Sequence, residues 1–184
     1  MHKHGFRPAE RLIDLANAVR EDPALPRDAL ADLLERHGET GLNDDGDSGA
    51  AAFTDTDAAI LRLAVRRLID DVLTATDTDR AALALNAILE ECGARPRLSR
   101  HDGHAWHLHV DRSDDASWSD WLLASSAHAL AQLLGDRGRV AWSACAAASC
   151  GRFFLLTGPG SPRRYCSTAC GTRERVAAHR RRHA

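Results

Sequence analysis

Residues 145–170 of the chain read CAAASCGRFFLLTGPGSPRRYCSTAC, so that four cysteines form a C-x4-C pair and a C-x3-C pair separated by fifteen residues. Two closely spaced pairs can supply four thiolates to one tetrahedral Zn²⁺ ion. Four cysteines leave no coordination position for a substrate, so the sequence predicts a structural zinc site. Two alternatives are disulfides, which an intracellular setting disfavours, and four unlinked thiols, which the clustering disfavours. The predicted ligands are Cys145, Cys150, Cys166 and Cys170.

The residues around these cysteines predict how the segment folds. Residues 152–156 have the composition of a strand, residues 158–161 that of a turn, and residues 163–165 are expected to return as a second strand. Ser167 suits a helix N-cap, which would place Cys170 in the first helical turn, where backbone N–H groups stabilise a thiolate. The sequence therefore predicts a treble-clef-like finger, which consists of a turn with two ligands, a hairpin, and a helix with the last ligand.

The finger segment is basic, whereas the rest of the chain is acidic. The formal net charge of the 184 residues is −2. Residues 1–140 carry 16 basic and 25 acidic side chains, and residues 141–184 carry 8 and 1, which gives −9 and +7. Zn²⁺ bound to four thiolates contributes −2 and would lower the second value to +5. A strongly basic segment indicates an anionic partner.

The basic side chains continue on a helix predicted over residues 168–183, in which Val176 is nearly the only strongly apolar residue. Such a helix gains little from packing, so we expect its arginines to face solvent or a partner. DNA is the partner that this pattern favours, and a solvated charged face is the alternative. The predicted DNA-binding residues are Arg173, Arg175, Arg180 and Arg181 on the helix, with Arg163 and Arg164 beside the hairpin.

Residues 1–140 predict a mainly helical domain, because apolar residues recur at helical spacing in five segments. The last of these helices is expected to end near Gly135. Cys92 lies on an apolar helical stripe and is expected in the core. The predicted fold class is α+β: a mainly helical N-terminal domain with a small β-hairpin over residues 1–140, followed by a treble-clef-like four-cysteine zinc finger over residues 141–184.

The predicted hairpin of the body joins residues 97–100 to residues 106–110, with Trp106, Leu108 and Val110 on one face. The other face carries histidines. Two histidines at i and i+2 on a strand can reach one metal ion, but the spacing specifies no further ligand. Two interpretations therefore stay open, a second metal site and histidines that only face solvent. The residues concerned are His101, His104, His107 and His109.

The composition excludes several classes of protein. Hydrophobic residues make up 44% and charged residues 27% of the chain, and no apolar run approaches the roughly 20 residues of a membrane span. The polar N-terminus lacks a secretory signal, so we expect a cytoplasmic protein with no membrane partner. The sequence also lacks a phosphate-binding loop, a dinucleotide fingerprint and a Ser-His-Asp order, and it predicts no enzyme.

The finger segment resembles the CGNR zinc-finger family. The resemblance rests on the cysteine pattern, on the Gly-x-Phe-Phe and Arg-Arg-Tyr sequences beside it, and on residues 170–173, where Thr172 replaces the family's asparagine. The body resembles the ABATE domain, a stress-induced transcription regulator, through residues 12–17 and 83–86. The two resemblances imply a structural zinc ion, DNA binding and transcriptional regulation. They leave the role of the missing asparagine side chain open.

Two functions follow as hypotheses. The first is a zinc-dependent, DNA-binding transcription regulator whose body senses a signal or forms a homo-oligomer. The alternative is a zinc-stabilised protein-interaction module, in which the basic helix docks on an acidic protein or on the chain's own acidic body. In that alternative the N-terminal domain binds a small-molecule effector, and Asp14 and Asn17 are candidates for its pocket.

Overall fold

The computed structural model describes residues 7–39, 53–100, 106–110, 112–113, 116–158 and 162–183. These residues form helices and two small antiparallel sheets, which confirms the α+β class. No helix in this part of the chain has the length and apolar character needed to cross a bilayer. The helices are α1 (Arg7–Glu21), α2 (Arg27–Arg36), α3 (Asp55–Leu68) with a π-helical turn (Ile69–Leu73), α4 (Thr78–Glu91), α5 (Trp118–Arg137) and α6 (Thr168–Arg182). The strands are β1 (Arg97–Ser99), β2 (His107–His109), β3 (Trp142–Ala144) and β4 (Phe153–Leu155).

Side-chain caps define the first residues of three body helices. At α3, Thr54 accepts the N–H of Asp57, whose carboxylate in turn accepts the N–H of Thr54. Asp77 and Ser117 accept backbone N–H groups in the same way at α4 and α5. Each cap provides an acceptor for a backbone N–H group that has no partner within its helix. Such a cap contributes about 1 kcal/mol to the free energy of unfolding.

Helix α5 is central to the body and packs against α1, α3 and α4. It continues through Gly135 and ends at Gly138, whose φ of 63° is left-handed. Its last helical residue, Arg137, therefore lies two residues beyond Gly135, near the predicted end. Glycine within a helix costs only about 1 kcal/mol relative to alanine, and Arg137 beyond it donates to the carbonyl of Thr157 (2.7 Å).

The β1–β2 hairpin pairs Leu98 with Leu108, and its apolar face is largely exposed. Of the three residues predicted on that face, only Val110 is buried, where the hairpin joins the body. Trp106 is 66% exposed, and Leu108 and its neighbour Leu98 are exposed as well. Within the described residues, the helices thus leave this face uncovered.

The finger's hairpin joins two strands that the sequence did not pair. Strand β4 is antiparallel to β3, with Trp142 opposite Leu155. Residues 163–165 form no strand, and they contact the first cysteine pair through the N–H of Ala146, which donates to the carbonyl of Arg164 (2.9 Å). The predicted return strand is therefore wrong, because the turn between the first two cysteines already closes a hairpin with β3.

The two faces of the β3–β4 hairpin lie in different apolar clusters. Trp142, Phe153 and Leu155 are buried among the side chains of the body's core. Phe154 points to the opposite side and packs with the cysteines. The boundary predicted between residues 140 and 141 therefore crosses a shared core.

Buried hydrogen bonds also fasten this hairpin to the body. The side chain of Asn17 on α1 donates to the carbonyl of Phe153 (3.0 Å) and accepts its N–H (2.8 Å). The indole Nε1 of Trp142 donates to the carbonyl of Val72 (3.1 Å) in the π-helical turn. The position of the cysteines is thus fixed by contacts with α1 and with the end of α3.

Candidate metal centre and nucleic-acid interface

Two separate elements deliver the four cysteines. Cys145 and Cys150 enclose the turn between β3 and β4, and we call residues 145–150 the knuckle. Cys166 and Cys170 lie at the start of α6. The side chain of Ser167 accepts the N–H of Cys170 (3.2 Å), which confirms the predicted N-cap and the place of Cys170 in the first helical turn.

The sulfur atoms of the four cysteines lie within 4.8 Å of one another. The Sγ atom of Cys166 is 3.7 Å from the Sγ atoms of both Cys150 and Cys170. Tetrahedral Zn²⁺ with Zn–S bonds of about 2.3 Å places its sulfurs about 3.8 Å apart, whereas a disulfide bond is about 2.05 Å long. The donor set and its spacing therefore fit a structural zinc ion.

Close packing of the thiols changes how they ionise. Burial raises the pKa of Cys166 to about 12, together with hydrogen bonds to the neighbouring thiols. Burial alone would raise the pKa of Cys145 too, but backbone N–H groups of Cys166 and Ala147 outweigh it and lower the value to about 7. Four adjacent thiolates need a cation between them, which Zn²⁺ would supply, so protons compete with zinc for the site.

Arg173 lies against the metal centre rather than on a free face of α6. Its Nη2 atom is 3.9 Å from the Sγ atom of Cys170, and its Nη1 atom donates to Ser149 in the knuckle (3.1 Å). The guanidinium would offset part of the negative charge that four thiolates leave around Zn²⁺. The next residue, Glu174, accepts the N–H of Ala148 (3.1 Å), so both residues fasten α6 to the knuckle.

The arginines before α6 are exposed, but each contacts the finger. Arg163 donates to the carbonyl of Leu155 (3.0 Å), and its guanidinium lies 5.2 Å from the ring centre of Phe154. The guanidinium of Arg164 lies 5.9 Å from the ring centre of Tyr165. These contacts orient two cations beside the start of α6.

Beyond its first turn, α6 presents its basic side chains to solvent. Arg175 donates to the hydroxyl of Thr172 (3.1 Å), the residue that replaces the family's asparagine. The side chains of Arg180 and Arg181 are exposed, and neither forms a hydrogen bond or ion pair with a described residue. Even Val176 is exposed, as expected for a helix that does not pack against the body.

The two candidate effector residues have different surroundings on α1. Asp14 is exposed and accepts a hydrogen bond from His37 (3.0 Å). Asn17 is buried, and its side-chain amide forms two hydrogen bonds with the backbone of Phe153. Asn17 borders a shallow cleft beside the knuckle, which Asp14 does not line. An effector pocket formed by both residues stays a prediction.

We expect Asn17→Ala to lower the free energy of unfolding by about 1–3 kcal/mol, because the buried N–H and C=O of Phe153 lose their partners. Asp14→Ala on the same helix is the matched control. It removes a surface pair with His37 and should cost at most about 1 kcal/mol. Urea unfolding of both variants measures the difference, and equal losses would contradict the structural role of Asn17.

The histidines proposed for a second metal site fall mostly outside the described residues. These include His101 and His104, and also the side chain of His107. His109 is partly buried on β2. In the part of the chain that the structure describes, the four cysteines are the one group of three or more metal-binding side chains close enough to share an ion. The histidine site stays a prediction.

Sequence reasoning did not assign Arg20 and Arg152 to the site, although both lie beside the knuckle. Arg20 donates to the carbonyl of Gly151, and its guanidinium lies 5.3 Å from the ring centre of Phe153. Gly151 has a φ of 64°, which favours glycine, and a Cβ there would lie 2.7 Å from Nη2 of Arg20 and displace its guanidinium. The available signal was the i, i+3 spacing of Asn17 and Arg20, which places both on one side of α1.

Comparison with known protein families gives two matches. Residues 142–183 match the CGNR zinc finger. Residues 9–137, more than half of the chain, match ABATE, described as "Putative stress-induced transcription regulator". Both resemblances found in the sequence are confirmed, in the same order along the chain. A comparison with curated proteins finds no match.

Proposed function

Because the chain belongs to the ABATE family and carries a CGNR zinc finger, we propose that it is a DNA-binding transcription regulator. Both families are of regulator or zinc-finger type, and neither is an enzyme family. In this proposal residues 141–184 hold the zinc ion and contact DNA. Residues 1–140 receive a signal or join two copies of the chain, and the protein works in the cytoplasm.

The observation that carries the proposal is the isolation of α6 from the acidic body. Ion pairs of the described residues join body residues to one another, and none includes α6. A basic helix beside an acidic body would be drawn to it if docking were favourable. The exposed side chains of Arg180 and Arg181 are instead available to an external anion.

The charge of the finger and the width of an α-helix both suit binding to a DNA duplex. The finger's formal charge of +7 falls to +5 when zinc and four thiolates are included. A helix fits the major groove of B-DNA, which is about 12 Å wide, and arginine can contact phosphates or pair with guanine. Arg163 and Arg164, which contact Leu155 and Tyr165 before the start of α6, would meet the phosphate backbone there. Phosphate contacts of this kind give affinity and register rather than sequence specificity.

We expect Arg180→Ala/Arg181→Ala to weaken binding to duplex DNA about tenfold or more at low salt, because two counterion-releasing contacts are lost. The slope of log K against log salt concentration should become shallower by about 2. The control is Arg80→Ala/Arg95→Ala, which removes two exposed arginines from the body. Fluorescence anisotropy over a salt series measures both. The absence of wild-type binding at low salt, or equal effects of the two double variants, would refute the proposal.

A protein-interaction module is the second candidate, and the exposed face of the β1–β2 hairpin favours it. Leu98, Trp106 and Leu108 together present apolar surface of the kind found at protein contacts. A zinc-shaped finger could accompany such a contact without touching DNA. The salt series separates the candidates, because a protein-interaction module has no reason to bind duplex DNA with a steep salt dependence.

A further inference from the structure

A shallow cleft of about 320 Å³ separates α1 from the knuckle. It lies beside the start of α6, because Ser149 in its wall accepts a hydrogen bond from Arg173 of α6 (3.1 Å). The cleft therefore adjoins the helix to which DNA binding is assigned. Its lining residues are Asn17, Arg20, Glu21, Ser149, Cys150 and Arg152.

Two guanidinium groups line this cleft, those of Arg20 and Arg152, and the guanidinium of Arg173 lies beside Ser149 in its wall. Arg20 is held in place by the carbonyl of Gly151 and the ring of Phe153. Arg173 is held by Ser149 and by the sulfur of Cys170. Both are therefore ordered before any ligand arrives, which lowers the entropic cost of binding.

Arg152 is the free cation of the three with respect to the described residues. Its side chain is exposed and forms no hydrogen bond or ion pair with any of them, whereas its backbone carbonyl accepts the N–H of Cys145 (2.8 Å). Arg152 directly precedes β4, all three residues of which are buried. The cleft is also lined by the carboxylate of Glu21 and by Cys150, one of the four predicted zinc ligands.

We propose that this cleft binds a backbone phosphate of the DNA duplex that α6 contacts, an inference that rests on the proposed function. Arginine offers paired N–H donors to phosphate oxygens, and a serine hydroxyl adds a further donor. Arg152 and Arg20 would supply the cations and Ser149 the hydroxyl. The DNA interface thus extends across the knuckle onto α1, and the body contacts the nucleic acid directly.

This extension gives the body a route to influence DNA binding. Helix α1 contributes Arg20 to the phosphate site and Asn17 to the attachment of the hairpin. A small displacement of α1 relative to the knuckle would therefore change the distance between Arg20 and Arg152. Glu21 sets a limit on affinity, because its carboxylate repels a phosphate in the same cleft.

The test uses the full-length, zinc-loaded chain and two variants of opposite effect. Arg152→Ala should weaken duplex binding several-fold, uniformly across DNA sequences, and reduce the salt slope by about 1. Glu21→Gln should strengthen binding several-fold, because it removes repulsion without changing shape. Arg80→Ala on α4 is the control for loss of one exposed arginine. Zinc content and circular dichroism verify that each variant is folded.

The possible outcomes separate this inference from the proposed function. If Arg152→Ala binds DNA like the wild type while Arg180→Ala/Arg181→Ala does not, the phosphate site is wrong and the regulator stands. If no arginine variant changes DNA binding, the proposed function itself fails, and the phosphate site with it. Inorganic phosphate is titrated separately by NMR. Saturable binding that depends on Arg152, with unchanged DNA affinity, would assign the cleft to a free anion and overturn the inference.

Discussion

The Cys170→Ser variant is expected to lose its zinc ion and, with it, the ordered structure of the knuckle and of α6. Cys170 is buried in the cluster, and its removal leaves three thiolates around a metal that prefers four ligands. In small zinc domains, metal binding supplies about 10–16 kcal/mol of folding free energy. The apolar cluster around the cysteines contains few other side chains and cannot replace that contribution.

Metal analysis after dialysis against a mild chelator measures this effect. The wild type should retain one zinc ion per chain, and Cys170→Ser should retain almost none. Cys92→Ala is the matched control, because Cys92 is a buried cysteine at the end of α4 and belongs to the body's core. One tightly held zinc ion in Cys170→Ser would contradict a four-cysteine site.

The Trp142→Ala variant should destabilise the body and the finger together, by about 3–5 kcal/mol. Trp142 is 2% exposed and belongs to the core that β3 shares with the helices. The substitution would leave a large cavity in that core. It would also remove the indole donor to the carbonyl of Val72, which accepts the N–H of Ala75 as well (3.0 Å).

Trp142→Phe separates the two contributions, because it retains an aromatic ring but has no N–H donor. Trp142→Phe should lower the free energy of unfolding by less than Trp142→Ala does. Urea unfolding is followed with one probe for the helices and one for zinc release. Both transitions should move together in Trp142→Ala. A finger that loses zinc early while the helices unfold at the wild-type midpoint would show that the core is not shared.

Local sequence patterns sufficed for much of the fold and of the metal centre. Helical spacing of apolar residues places the body helices, because each helix buries one side of its own surface. Ser167 identifies the start of α6 through the hydrogen bond that its side chain makes three residues later. The cysteine spacing predicts the cluster because a turn between paired ligands brings them together with no help from distant residues.

The elements that were missed depend on contacts between distant parts of the chain. Strand β3 has three residues, too few for a pattern, and is defined by its partner β4 across the knuckle. The π-helical turn cannot be distinguished from a continuing α-helix by hydrophobic spacing. Asn17 and Phe153 are 136 residues apart, so their pairing is visible only after α1 and the hairpin meet.

A domain can be transferred to another gene when the surface that contacted its former neighbouring domain is polar. The β3–β4 hairpin does not meet this condition, since Trp142, Phe153 and Leu155 are covered by the body. Recombination that transferred residues 141–184 to another protein would carry an uncovered apolar face, and the donor would be left with an opened core. We therefore expect descendants of this gene to inherit both families as a unit, and to tolerate insertions poorly at their junction.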